Sequence, residues 1–136
     1  MAEKLHFSLV SPARELFSGE VDHVIAPGSE GEFGVLPRHA PYMATLRPGV
    51  VRVLRDGQPD MRLYVEGGFA DVTPSGLTIL AEEAVDLADL DAGVLDADIQ
   101  KAREAIASHG RDQNDPEAQR LQGRLASLEH RRAALG

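Results

Sequence analysis

The sequence predicts a mainly β protein with an α-helical tail, in which an N-terminal β-sandwich over residues 1–88 is followed by a C-terminal antiparallel two-helix hairpin over residues 89–136. Three observations carry this. From Leu5 to about Leu80, short alternating apolar runs recur between turn residues, the pattern of an all-β sandwich or barrel. After Asp86 the apolar spacing becomes that of a helix. That helical stretch contains one stop and one restart, which fold it back on itself. With 43% hydrophobic and 26% charged residues the chain has the composition of a folded soluble domain rather than a disordered one.

Taken in order, Leu5, Phe7 and Leu9 alternate with His6 and Ser8, and further β-type runs cover residues 21–26, 42–46, 50–54, 61–65 and 77–81. Pro27-Gly28, Pro48-Gly49, Asp56-Gly57, Gly67-Gly68 and Pro74-Ser75-Gly76 stand between them as turn signals, because Gly accepts positive φ and Pro presets it. Aromatics are only 4% and tryptophan is absent, so the core is expected to be thin and built from Val, Leu, Ile and Ala. Phe7, Phe17, Phe33, Phe69, Tyr42 and Tyr64 are its few large fillers. Leu95, Ile99, Ala102 and Ile106 then form one apolar stripe on a helix. Ser108-His109-Gly110 reads as its stop, and Asn114-Asp115-Pro116-Glu117 as a new start with Asp115 as cap and Pro116 in the first turn. Leu121, Leu125, Leu128 and Leu135 carry a second, narrower stripe, giving two helices of about four turns each.

Charge and composition exclude several classes of function. A net charge of −8 disfavours nucleic acid or an anionic lipid surface as main partner. The absence of cysteine removes disulfides, thiolate metal sites and cysteine nucleophiles together. The start MAEKLHFSLVSP lacks the apolar run of a signal peptide, so the expectation is a soluble protein not exported by that route. His6, His23, His39, His109 and His130 show no paired metal-binding spacing, and no Gly-x-Ser-x-Gly elbow is present. Asp86, Asp89, Asp91, Asp96 and Asp98 lack the spacing of a calcium loop and read as a solvated linker and helix start. No catalytic residue, metal or cofactor is therefore expected. In the second helix Arg120, Arg124, Arg131 and Arg132 outnumber Glu117 and Glu129, which is either a solvated face or a docking face for an acidic partner.

The run GSEGEFGVLPRHAP over residues 28–41, followed by LRPG over 46–49, resembles the signature of the epsilon subunit of bacterial F-type ATP synthases, called delta in mitochondria. The likeness extends through residues 5–11, 17–19, 64–68 and 78–81, nearly the whole β part, while the helical part is similar mainly in pattern. A β-sandwich followed by a helical hairpin is that family's architecture. The resemblance implies a non-catalytic rotor subunit of the central stalk, packed against the gamma subunit and against the loops of the c-ring. On that resemblance it is expected to be peripheral on the cytoplasmic face of the bacterial inner membrane and to meet the membrane only through the complex. Carried over residue by residue, Ser29, Glu30, Gly31 and Glu32 face the c-ring, and Ser11, His39 and Ala44 face gamma. On the residues alone the 29–32 segment is a glycine-spaced turn without the lysine of a phosphate loop, and His39 between Pro37 and Pro41 is a turn-capping histidine.

The resemblance also makes the hairpin a regulatory element, with Arg103, Arg120, Arg124, Arg131 and Arg132 approaching the alpha and beta catalytic subunits and slowing ATP hydrolysis. Some members of the family bind ATP at this hairpin through an Ile/Leu-Asp-x-x-Arg-Ala motif. Here Leu90 and Asp91 remain, but Val94 stands where the arginine belongs. Loss of that cation removes a main partner of the triphosphate, so ATP binding is expected to be weak or absent and Asp91 reads as a helix N-cap. The alternative function, a free nucleotide-sensing β-sandwich module, needs the tight ATP binding that the missing arginine argues against.

Overall fold

Alternation along Leu5–Val10 (β1) buries Leu5, Phe7 and Leu9 and leaves His6 exposed, so one face of the strand enters a core and the other stays outside. The same logic builds the strands that follow in a computed structural model that describes residues 3–109 and 115–136. They are β2 (Glu15–Val21), β3 (His23–Gly28), β4 (Gly31–Val35), β5 (Tyr42–Leu54), β6 (Met61–Thr73), β7 (Gly76–Ala81) and β8 (Ala84–Asp86). A short 3-10 turn at Leu87–Asp89 precedes α1 (Ala92–His109) and α2 (Pro116–Leu135). The chain divides into two compact units, Met1–Ala88 and Asp89–Gly136.

In the first unit the strands form one continuous sheet in the order β2-β1-β7-β6-β5-β3-β4, with β8 also on β6, folded over into a sandwich. The fold-over is made by β5 and β6, each of 13 residues. The N-terminal half of β5 and the C-terminal half of β6 lie in the layer completed by β7, β1 and β2. Their other halves lie in the layer completed by β3, β4 and β8. Pro48-Gly49 and Gly67-Gly68, which read as turns ending separate strands, are instead the bend inside these two long strands, with Pro48 paired to Glu66 and Leu46 to Gly68. Gly68 has φ 135°, and a Cβ there would lie 2.2 Å from the carbonyl oxygen of Leu80. Pro27-Gly28 likewise ends β3 rather than forming a turn.

The core is a single cluster that includes Phe7, Leu9, Val24, Val53, Leu63, Val65, Leu77 and Ile79, built from aliphatic residues around one fully buried phenylalanine. Phe17 and Phe33 pack against it from its margin. Lys4 pairs with Asp22 at 2.5 Å, and Asp22 also accepts the backbone N–H of Asp56, so one carboxylate ties the start of β1 to the β5–β6 turn. The Lys4 ammonium beside it holds Asp22 below the usual carboxylate range.

In the second unit, Leu95, Ile99, Ala102 and Leu128 are buried, with Leu125 and Leu135 packed against them. Ile106 and Leu121, the other members of the two stripes, are half-buried. The helices run 18 and 20 residues, about five turns each and longer than the sequence pattern suggests. Asp91 accepts the N–H of Val94 and caps α1, while Asp115 accepts the N–H of Ala118 and caps α2 with Pro116 in its first turn. Gly110 and Asn114, the outer residues of the expected stop and start, lie outside the described residues.

Candidate interaction surfaces

The β3–β4 connection is a two-residue turn, Ser29-Glu30, closed by the pairing of Gly28 with Gly31. Ser29 donates its backbone N–H to the Thr45 carbonyl at 2.9 Å, and Arg47 donates Nε–H to the Gly28 carbonyl at 3.3 Å, so the turn is pinned to β5. A Cβ on Gly28 would sit 2.6 Å from the Gly31 oxygen and 2.9 Å from the Phe33 ring. Phe33 and Tyr42 meet edge to face at 5.3 Å, part of the lining of a groove of about 480 Å³ shared by residues 28–33 and 42–45. Ser29, Glu30, Gly31 and Glu32 thus stand together as an exposed rim over a fixed base.

Ser11, His39 and Ala44 are less alike. Ser11 is buried and closes the β1–β2 turn, donating its hydroxyl to the Arg14 carbonyl at 3.2 Å and accepting the Arg14 N–H at 3.4 Å. His39 ends the turn Leu36-Pro37-Arg38-His39, its N–H bonded to the Leu36 carbonyl at 3.1 Å and its Nδ1 donating to the Ala40 carbonyl at 2.7 Å. Arg38 in that turn has φ 65° and pairs with Glu3. Ala44 is half-buried, opposite Ala70 and on the inward row that continues through Ile79 and Leu9.

The outward row beside them is apolar. Register aligns Val10 with Leu80, Leu80 with Phe69 and Phe69 with Thr45 across four strands, and Met43 stands in the adjoining outward row with Asp71, Thr78 and Ser8. Leu80 is 56% exposed and Met43 64%, while Ile79, the inward neighbour of Leu80, and Ala70 in the same inward row are fully buried. Sequence reasoning misses this face. The alternation of the β runs is legible, but which outward residues come together is fixed by register, and the sequence splits β5 into two runs and reads only the first part of β6.

The hairpin gathers its predicted arginines unevenly. Arg103 reaches Glu129 at 3.4 Å and Arg132 reaches Asp96 at 2.9 Å, both between the helices, which fixes them as antiparallel. Arg120 pairs with Glu117 at 3.0 Å within α2. Arg124 is exposed and lines a different groove with Asp98, Lys101 and Leu121, and Arg131 is half-buried. At the closed end His109 Nε2 lies 2.9 Å from Asp115. The Ala118 N–H first, and His109 second, hold the Asp115 carboxyl below its ordinary value. Val94, at the arginine position of the nucleotide motif, is 58% exposed. Among the described residues no helix is long and apolar enough to cross a membrane, and no three His, Asp or Glu side chains gather as a metal site.

A protein-family model described as ATP synthase, Delta/Epsilon chain, beta-sandwich domain matches residues 4–87. The chain is 58% identical over 135 residues to the ATP synthase epsilon chain of Hyphomonas neptunium, covering 99% of this chain and 98% of that one. It is 52% identical over 130 residues to that of Parvibaculum lavamentivorans, covering 96% and 98%. Among solved structures it is similar to a chain of the Euglena gracilis mitochondrial ATP synthase (OSCP/F1/c-ring, rotational state 1) with TM-score 0.75, 28% identity and coverage of 98% of this chain and 82% of that one. A chain of the Tetrahymena thermophila mitochondrial ATP synthase central stalk and c-ring shares the fold at TM-score 0.61 and 13% identity, over 99% and 98% of the two chains.

Proposed function

The chain belongs to the ATP synthase delta/epsilon family, whose epsilon chains are accessory rather than catalytic subunits, and on that premise we propose that it is a rotor subunit joining gamma to the c-ring. The observation that carries this reading is the outward apolar row of Val10, Phe69 and Leu80 with Met43 beside it. Leu80 and Met43, each more than half exposed on β7 and β5, together with the partly exposed Val10 and Phe69, favour a partner that covers them. Gamma is that partner, with Ser11 and His39 shaping the turns that border the face and Ala44 setting the strand that presents Met43 and Thr45. The rim of Ser29, Glu30, Gly31 and Glu32 meets the c-ring loops, where two exposed carboxylates on a pinned turn suit basic side chains. The solved relative from Euglena, described as OSCP/F1/c-ring, supports the same assignment. The protein is then held at the cytoplasmic face of a bacterial inner membrane only through the complex.

In this reading α1 and α2 regulate. Arg103, Arg120, Arg124, Arg131 and Arg132 approach the alpha and beta subunits and slow ATP hydrolysis, and the exposed Val94 in place of an arginine leaves ATP without its cation. The test is a titration into an alpha–beta–gamma core that lacks this subunit, following both binding to gamma and hydrolysis rate. The intact protein is expected to bind saturably and lower the rate. Leu80→Glu with Met43→Glu is expected to lose at least about 2 kcal/mol of gamma affinity. Unchanged affinity would move the gamma contact off this face.

A further inference from the structure

Along β5 the inward residues Val51 and Val53 are fully buried and Arg52 between them is exposed, while on β6 Leu63 is fully buried and Arg62 before it is exposed. Register sets Arg52 directly opposite Arg62. The same outward row continues to Ile25 on β3 and Gly34 on β4, neither of which carries charge. Two guanidinium groups therefore rise from opposed positions on one face of an antiparallel pair, in a chain whose net charge is −8. Like charges placed directly opposite each other destabilise a sheet. Other arginines of this unit have partners: Arg38 has Glu3, Arg47 the Gly28 carbonyl and Arg55 the Pro59 carbonyl. Arg52 and Arg62 have none among the described residues. Arg62 also lines a hollow with Asp60, Asp86 and Ala88, where the Asp86 carboxylate is taken up by the Ala88 N–H at 2.9 Å.

We propose that Arg52 and Arg62 form a binding site for a phosphate dianion, which bridges β5 and β6. Each guanidinium presents a planar fork that matches two phosphate oxygens, and the two positive charges together balance the two negative ones. Neighbouring strands stand about 4.8 Å apart, so both side chains can reach one tetrahedral anion. Binding then turns a repulsion within the free protein into a bridge. Asp60 and Asp86 beside Arg62 work against a long polyanion such as an acidic peptide, so the occupant is compact. Because both arginines are exposed, the interaction is screened, and its affinity is modest and falls with salt. The site draws only on β5 and β6 and does not rest on the rotor role proposed above.

The test takes the full-length protein with inorganic phosphate as probe, at a pH where phosphate is a dianion and against sodium chloride of equal ionic strength. The guanidinium Cζ resonances of Arg52 and Arg62 are expected to shift together along one saturating curve, while that of Arg14 does not saturate. Arg62→Gln should abolish the saturating response of Arg52, and Arg14→Gln should leave it unchanged. A response of Arg52 that never saturates, or that survives Arg62→Gln, overturns the site. Amide exchange in β1 and β7 gives an independent reading. In chloride, Arg62→Gln removes the opposed charge and should slow that exchange by about 1.4- to fivefold; faster exchange would mean that the pair is no liability, and overturns the proposal. Phosphate at about ten times its half-saturating concentration should slow exchange of the wild type by about elevenfold. The general stabilisation by an excluded salt acts on wild type and Arg62→Gln alike, so equal slowing in the two also overturns it. ADP added as competitor separates the two sources of the anion. Loss of the phosphate-dependent shifts assigns the site to the phosphoryl end of a nucleotide, their persistence assigns it to free phosphate, and either result upholds the shared chemistry.

Discussion

At Gly28 a methyl group would meet the Gly31 carbonyl at 2.6 Å and the Phe33 ring at 2.9 Å, and both are held by the pairing of β3 with β4. Gly28→Ala is therefore expected to cost about 1–3 kcal/mol, read as a lower urea midpoint of the intact protein. Gly123 is the opposite case: it lies inside α2 with nothing within 4 Å of where a Cβ would stand, so Gly123→Ala is expected to add about 0.5–1 kcal/mol to the helix. Asp115 gives a pH dependence. Its folded value lies below 3.8, so the stability it supplies is complete above that pH and disappears as pH falls through the folded value. Far-UV circular dichroism between pH 7 and 2 should show hairpin helicity falling below about pH 3.8, with a smaller acid-induced change in Asp115→Asn. Both capping aspartates are legible in the sequence, because capping depends on neighbours within one turn. The turn-capping role of His39 is legible in the sequence, whereas the hydrogen bonds by which Ser11 closes its turn with Arg14 are not.

Among the elements, the helices are the more readable. Three of the four α1 stripe residues, Leu95, Ile99 and Ala102, are buried, while α2 buries only Leu128 of its leucines. Leu128→Ala should accordingly cost about 2–4 kcal/mol, enough to leave the hairpin frayed, with amide exchange of α1 and α2 rising while that of β1 and β7 stays unchanged. The strands are harder to read. Pro48-Gly49 and Gly67-Gly68 carry the composition of turns, yet they bend strands that continue, since proline and glycine relieve a sharp corner as readily as they end a ladder. That misreading conceals the apolar outward row, because β5 taken as two strands and β6 read only over its first part give no common register. The predicted arginines are visible by residue type, whereas their carboxylate partners Asp96 and Glu129 emerge only once the antiparallel alignment of α1 and α2 is known.

At the scale of the whole molecule, the core cluster of residues 5–81 draws on the first compact unit alone, and the cluster around Leu95 and Leu128 on the second. A truncation after Ala88 is expected to unfold in one cooperative transition and to keep its gamma affinity, while losing any effect on hydrolysis. A broad, non-cooperative melt would contradict this. Within the first unit, the two layers share their longest strands instead of meeting only through side chains. Sliding one layer over the other would stretch a pair of covalent chains rather than shear a greasy seam. In the rotor role proposed above, the folded sheet would act as a stiff coupling: torque entering one layer reaches the other through backbone, with no slip plane in between.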